Sequence, residues 1–102
     1  MSPETLRTIS QIVEPVLKKN DVEFAGIFGS FSRHEQNADS DIDVVIRYAQ
    51  PTGLFALVGL SQELSALTGR RVDVVSEKAI HAYLRPNIAK DLHVIYGQRR
   101  YL

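Results

Sequence analysis

The chain has 102 residues, 44% apolar and 24% charged, and its twelve basic side chains balance twelve acidic ones to a formal net charge of zero. That length holds a single domain over residues 1–102 with one core, and the charge balance removes any global field for nucleic acid or an anionic membrane. There is no cysteine, which excludes a disulfide framework, thiol catalysis and thiolate metal sites and fits a cytoplasmic protein.

The opening MSPETLRTIS lacks the basic-then-apolar layout of a signal peptide, and no apolar run is long enough to span a bilayer. Ser2, Pro3 and Glu4 form an N-cap, a first-turn proline and a first-turn acid. Leu6, Ile9, Ile12, Val13, Val16 and Leu17 continue at helical spacing, so residues 3–19 read as a helix with a kink or break near Pro15. VEFAGIF, residues 22–28, is a first strand ending at Gly29, and DIDVVIRY, residues 41–48, is a second. After Pro51 and Gly53, Leu57, Leu60, Leu64 and Leu67 mark a helix that ends at Gly69. RRVDVV, residues 70–75, is a third strand, SEKAI opens with an N-cap serine, Pro86 opens a short helix, and LHVIYG adds a terminal strand. The alternation predicts an α/β fold, a small mixed β-sheet packed with helices, with the strand order left open.

Within that pattern Asp41 and Asp43 occupy a run that otherwise reads as a buried strand, where an uncompensated carboxylate costs several kcal/mol. Strand alternation puts both acids on one side, with Cα atoms about 7 Å apart, and Ile42, Val44 and Ile46 on the other. Two carboxylates so placed can converge on a pair of divalent ions, the arrangement that supports in-line displacement at phosphorus, and their hard oxygens favour Mg²⁺ over zinc. Asp73 interrupts the third strand in the same way. If the strands are neighbours, the three acids meet, and Asp73 would hold one metal and accept the proton of an attacking hydroxyl. Its alternative is a surface ion pair with Arg70 or Arg71 at a sheet edge.

Gly29-Ser30 stands where a strand ends and a short helix over residues 30–36 can begin, a local anion site suited to nucleotide phosphates. Arg33 either contacts a phosphate or stays on the surface. His34, His81 and His93 are not at metal-ligand spacings, and Arg70-Arg71 and Arg99-Arg100 lack the aromatic interleaving of a single-strand binding face. Tyr96, Tyr101 and Leu102 form an apolar tail that packs on the domain or docks a partner.

Gly29-Ser30, ten intervening residues and then Asp41-x-Asp43, with the later Asp73 in VDVV, resembles the signature of the DNA polymerase β type nucleotidyltransferase superfamily. GSFSR, SDIDVVI, GRRVDVV and YLRPNI are similar to stretches of its minimal nucleotidyltransferases, the MntA-like antitoxins paired with HEPN-domain toxins. His34 stands where family members often carry glycine. The resemblance implies a polymerase β-like fold and a protein that uses ATP and Mg²⁺ to transfer AMP to a tyrosine of its cognate HEPN ribonuclease toxin. It implies that Gly29 and Ser30 hold the triphosphate. By the same carry-over Asp41 and Asp43 hold the metals and Asp73 serves the acceptor hydroxyl. The partner is then the toxin in a hetero-oligomer, with no direct nucleic acid and no membrane. A second reading keeps the fold and neutralises the toxin by complex formation alone. A third, transfer to a small molecule such as an aminoglycoside, lacks a second domain to enclose the acceptor.

Overall fold

Leu6, Ile9, Val13 and Leu17 recur at the spacing of one helix face, and all four are buried along α1 (Pro3–Lys19). The computed structural model describes residues 3–29, 41–100 and 102; the expected cap Ser2, the expected helix over 30–36 with Ser30, Arg33 and His34, and Tyr101 lie outside them. Two expectations for this helix need correction. Ile12 does not belong to the buried stripe, since it is 41% exposed. Pro15 does not break the helix, which is assigned continuously through it. The proline removes the donor for the Gln11 carbonyl, but both residues are exposed, so water can satisfy that oxygen.

The remaining elements are β1 (Val22–Phe28), β2 (Ile42–Tyr48), α2 (Leu54–Thr68), β3 (Val72–Ser76), a 3₁₀ turn (Glu77–Ala79), α3 (Arg85–Asp91) and β4 (His93–Gly97). Gly69 closes α2 in the left-handed conformation, φ 72°, its N–H bonded to the Ser65 carbonyl, as the glycine's position suggested. The strands form one sheet in the order β3-β2-β1-β4. β1 is antiparallel to β2 and β4, whereas β2 and β3 run parallel and are joined by the α2 crossover that parallel neighbours require. This is the mixed α/β architecture expected. Among the described residues no helix is long and apolar enough to cross a membrane.

α1 and α2 pack on one face of the sheet. Leu60 and Leu64 of α2 join the α1 stripe, Ala25 and Ile27 of β1, Ile42, Val44 and Ile46 of β2, and Val72 of β3 in a single core. Ser61 and Ser65 tie α2 to the edge strand: Ser61 Oγ donates to the Val72 carbonyl, and Ser65 Oγ accepts from the Val72 N–H at 2.8 Å. Tyr96 packs against this core from β4.

The opposite face carries a buried ion pair. Arg47 is 7% exposed and Glu77 3%, with Arg47 Nη1 donating to Glu77 Oε2 at 3.4 Å, Nε to Glu23 Oε1 at 2.7 Å and Nη2 to the Gln98 carbonyl at 2.9 Å. The guanidinium also lies 5.0 Å from the centre of the buried Phe24 ring. SEKAI therefore gives a 3₁₀ turn with Ser76 as the last residue of β3, and its serine side chain makes no capping bond. Removing one partner of a buried pair typically costs roughly 3–5 kcal/mol. Glu77→Ala should fall at or just below that range, about 2–3 kcal/mol, because Glu23 and the Gln98 carbonyl still hold Arg47; a urea unfolding series measures it.

Candidate active site

Register brings the anomalous acids together. Asp43 pairs with Asp73 across the parallel β2/β3 ladder and with Phe28 across the antiparallel β1/β2 ladder. Directly paired residues share a face, so Asp43, Asp73 and Phe28 stand together, while Ile42, Val44 and Val72 are buried in the core behind them. Asp41 departs slightly from expectation: it sits one residue ahead of β2 rather than inside it. The strand begins at Ile42, whose N–H bonds the Arg71 carbonyl at 2.9 Å, and the Asp41 side chain keeps 45% exposure.

Gly29 completes this end of the sheet. It turns the chain at φ 76°, a conformation side chains rarely adopt, and a Cβ there would lie 2.7 Å from Asp43 Oδ2. Glycine thus lets the backbone after β1 close directly onto the carboxylate. Ser30 and Arg33, the other expected nucleotide contacts, fall outside the described residues.

Charge is frustrated at this cluster. The half-buried Asp43 carboxyl is pushed above the ordinary carboxylate range, first by burial and then by the negative charges of Asp73 and Asp41. Arg71 offsets part of this, its Nε lying 3.2 Å from Asp73 Oδ1 and 4.0 Å from Asp41 Oδ2. The edge ion pair foreseen as the alternative for Asp73 therefore exists, but at 73% exposure for Arg71 it is worth little. Period-two alternation from Asp73 is the signal that places Arg71 on the acids' face.

Among the described residues no three acidic or imidazole groups are already drawn around one point, and Asp41 and Asp73 face Arg71 instead. The donor set nonetheless fits a hard divalent cation. It consists of carboxylate oxygens, one of them desolvated among like charges that a cation would relieve. His81 and His93 are exposed, and the His81 Nδ1 accepts the Tyr83 N–H at 3.1 Å.

Comparison with known proteins gives the family and the fold. The model of the family described as Polymerase beta, Nucleotidyltransferase matches residues 11–101. A protein of Methanocaldococcus jannaschii, provisionally named a protein adenylyltransferase, is 36% identical over 86 residues, 84% of this chain and 92% of its own. Two solved structures are similar in fold. One is a chain of a toxin–antitoxin structure with AMP-PNP, with a TM-score of 0.78 at 23% identity, covering 88% of this chain and 74% of that one. The other comes from the tri-AMPylated Shewanella oneidensis HEPN toxin in complex with MNT antitoxin, with a TM-score of 0.73 at 20% identity over 91% and 73% of the two chains.

Proposed function

The chain belongs to the polymerase β nucleotidyltransferase family, and on that premise we propose that it transfers AMP from ATP to a tyrosine hydroxyl of a cognate HEPN-type toxin, neutralising it. The observation that carries this reading is the register that faces Asp73 with Asp43, beside a glycine turn closing on the same carboxylate. A chain with no catalytic use for this cluster gains nothing from holding a desolvated acid among like charges.

Each residue has a task in that reading. Gly29 leaves room for the triphosphate against Asp43, and Ser30 and Arg33 contact the phosphates, a role that rests on the sequence alone. Asp41 and Asp43 would hold divalent ions, with Asp73 as a further ligand. Bound Mg²⁺ would supply charge neutralisation at the phosphate oxygens. The acceptor oxygen attacks the α-phosphorus of ATP, the bond to the β-phosphate oxygen breaks, and pyrophosphate leaves. Asp73 takes the hydroxyl proton, and Arg71 releases it to do so. The Asp73 side chain is 42% exposed, so an acceptor hydroxyl carried on a protein can reach it.

Among the described residues, the Asp73–Arg71 pair favours the second reading, neutralisation by occlusion with the acid engaged internally. Intact mass spectrometry of the cognate HEPN protein after incubation with this chain, ATP and Mg²⁺ separates the two. Adenylate-sized increments support transfer. A tight complex with no increment overturns it in favour of occlusion.

A further inference from the structure

The strand that carries Asp73 is an edge of the sheet, and its outer side is only half closed. The Ile42 N–H donates to the Arg71 carbonyl, which sets the phase of the parallel β2/β3 ladder: Arg71, Asp73 and Val75 turn their main-chain groups to β2, and Val72 and Val74 turn theirs outward. α2 caps the first of these, since Ser65 Oγ accepts from the Val72 N–H at 2.8 Å and Ser61 Oγ donates to the Val72 carbonyl. One helical turn earlier, where a cap for Val74 would stand, the helix carries Leu57 and Val58, which offer a peptide group nothing. Among the described residues the outward N–H and carbonyl of Val74 have no hydrogen-bond partner.

That open edge borders a groove of about 360 Å³ between β3 and α2, lined by Leu54, Leu57 and Val58 on one side and Asp73, Val74 and Val75 on the other. Resting on the transfer reading above, we infer that the groove takes an extended, uncharged segment of the acceptor protein, which adds to β3 as a further strand and holds that protein at Asp73.

Charge and polarity specify the occupant. α2 has a single charged side chain, Glu63, and it is already paired with Lys19 at 2.6 Å. The outward surface of the helix is apolar: Leu54 is 71% exposed, Phe55 94% and Val58 47%. A surface helix that is apolar on its outer side as well as its inner one is built to be covered. A cover made of side chains alone would bury the Val74 N–H and carbonyl unpaired, at the full desolvation cost of both. An extended main chain supplies the matching carbonyl and N–H together, which is the chemistry of strand addition.

Strand alternation then ties the groove to the acids. A segment paired beside β3 turns alternate side chains to the two faces of the sheet. Those level with Val74 meet Leu57 and Val58 on the helix side, and those level with Asp73 and Val75 stand on the acids' face, where the acceptor hydroxyl has to arrive. Apolar residues at alternate positions of the segment select it, and main-chain pairing fixes its register. Edge-to-edge pairing of two copies of this chain is the poorer fit, because it would bring a second Asp73 to a cluster that already holds three acids.

The test combines amide hydrogen exchange by NMR with transfer assays, using the cognate HEPN protein as the probe. Saturating HEPN protein should slow exchange of the Val74 amide about tenfold or more relative to the chain alone. Val58→Lys puts a charge into the groove from an exposed helix position. Val74→Pro removes the outward donor and leaves the ladder bonds to β2, the edge position at which a strand tolerates proline. Both variants should bind ATP with Mg²⁺ as the wild type does and raise the KM for the HEPN protein about tenfold or more, read from adenylate increments by intact mass spectrometry. Transfer by the wild type with an unprotected Val74 amide, or with wild-type KM in both variants, overturns strand addition and leaves nucleotidyl transfer standing. A wild type that adds no AMP overturns the transfer reading and with it the acceptor role of this edge. A chain that sediments alone as a dimer, and as a monomer after Val74→Pro, assigns the edge to a second copy and likewise overturns the proposal.

Discussion

Asp41→Asn combined with Asp43→Asn is expected to lower AMP transfer by about 10³-fold or more, while the chain freed of metal by chelator melts at the same temperature or a few degrees higher. Asparagine keeps the shape of each side chain and one carbonyl oxygen, but removes the charge that draws a divalent ion. A loss of about 10³ corresponds to roughly 4 kcal/mol of transition-state stabilisation, a modest figure for a site built on metal-neutralised phosphate. The stability half follows from electrostatics. Burial and the neighbouring acids already disfavour the charged form of Asp43 in the folded chain, so a neutral isostere relieves repulsion rather than breaking a favourable pair. Only Asp41 loses a partner, the Arg71 contact at 4.0 Å, which is exposed and weak. A mass-spectrometric time course with calorimetry in EDTA reads both halves. Unfolding of the double variant would mark the acids as structural and remove the basis for a metal-site assignment.

What was legible in the sequence follows from which forces are local. Period-two alternation put Asp43 opposite the core, and the same rule applied to Asp73, so the face of each acid followed without any topology. Gly29 was legible because it ends an apolar run at the point where the chain must turn. Helices α1 and α2 were set by their leucine and isoleucine spacing and by Gly69. Strand order was not legible, because pairing β1 with β4 joins segments about seventy residues apart and no local pattern encodes it. The Arg47–Glu77 pair was hidden for the same reason. Arg47 looks like the polar position of an alternating strand, and its burial depends on a glutamate thirty positions away. Asp41 was misplaced by one residue because the start of β2 is set by a bond from the Ile42 N–H to the Arg71 carbonyl, one residue ahead of β3. Pro15 leaves the helix unbroken because exposure turns the lost hydrogen bond into a solvated carbonyl.

Gly97→Ala should produce the largest loss of stability of any single methyl added to this chain, about 3–4 kcal/mol or more. Gly97 ends β4 at φ 71° and pairs with the fully buried Phe24. Holding alanine in that left-handed region costs about 1 kcal/mol by itself. The larger part is steric, since a Cβ would lie 2.0 Å from the Glu23 carbonyl oxygen and 3.0 Å from Phe24 Cα. Both are backbone atoms that no rotamer change can move. Relief requires β4 to draw away from β1, and that separation reaches the buried ion pair, because the next residue, Gln98, gives its carbonyl to Arg47 and Glu23 holds the same guanidinium. For a chain near 100 residues each kcal/mol is worth about 4–8 °C, so a fall of roughly 15 °C or more in Tm is expected. Gly59→Ala is the matched control. It adds the same methyl within α2 where nothing lies within 4 Å, and helix propensity alone should raise stability by about 0.5–1 kcal/mol. Parallel thermal melts decide the matter: if the Gly97 variant melts within a few degrees of wild type, the β1–β4 edge is not the rigid seam that this packing implies.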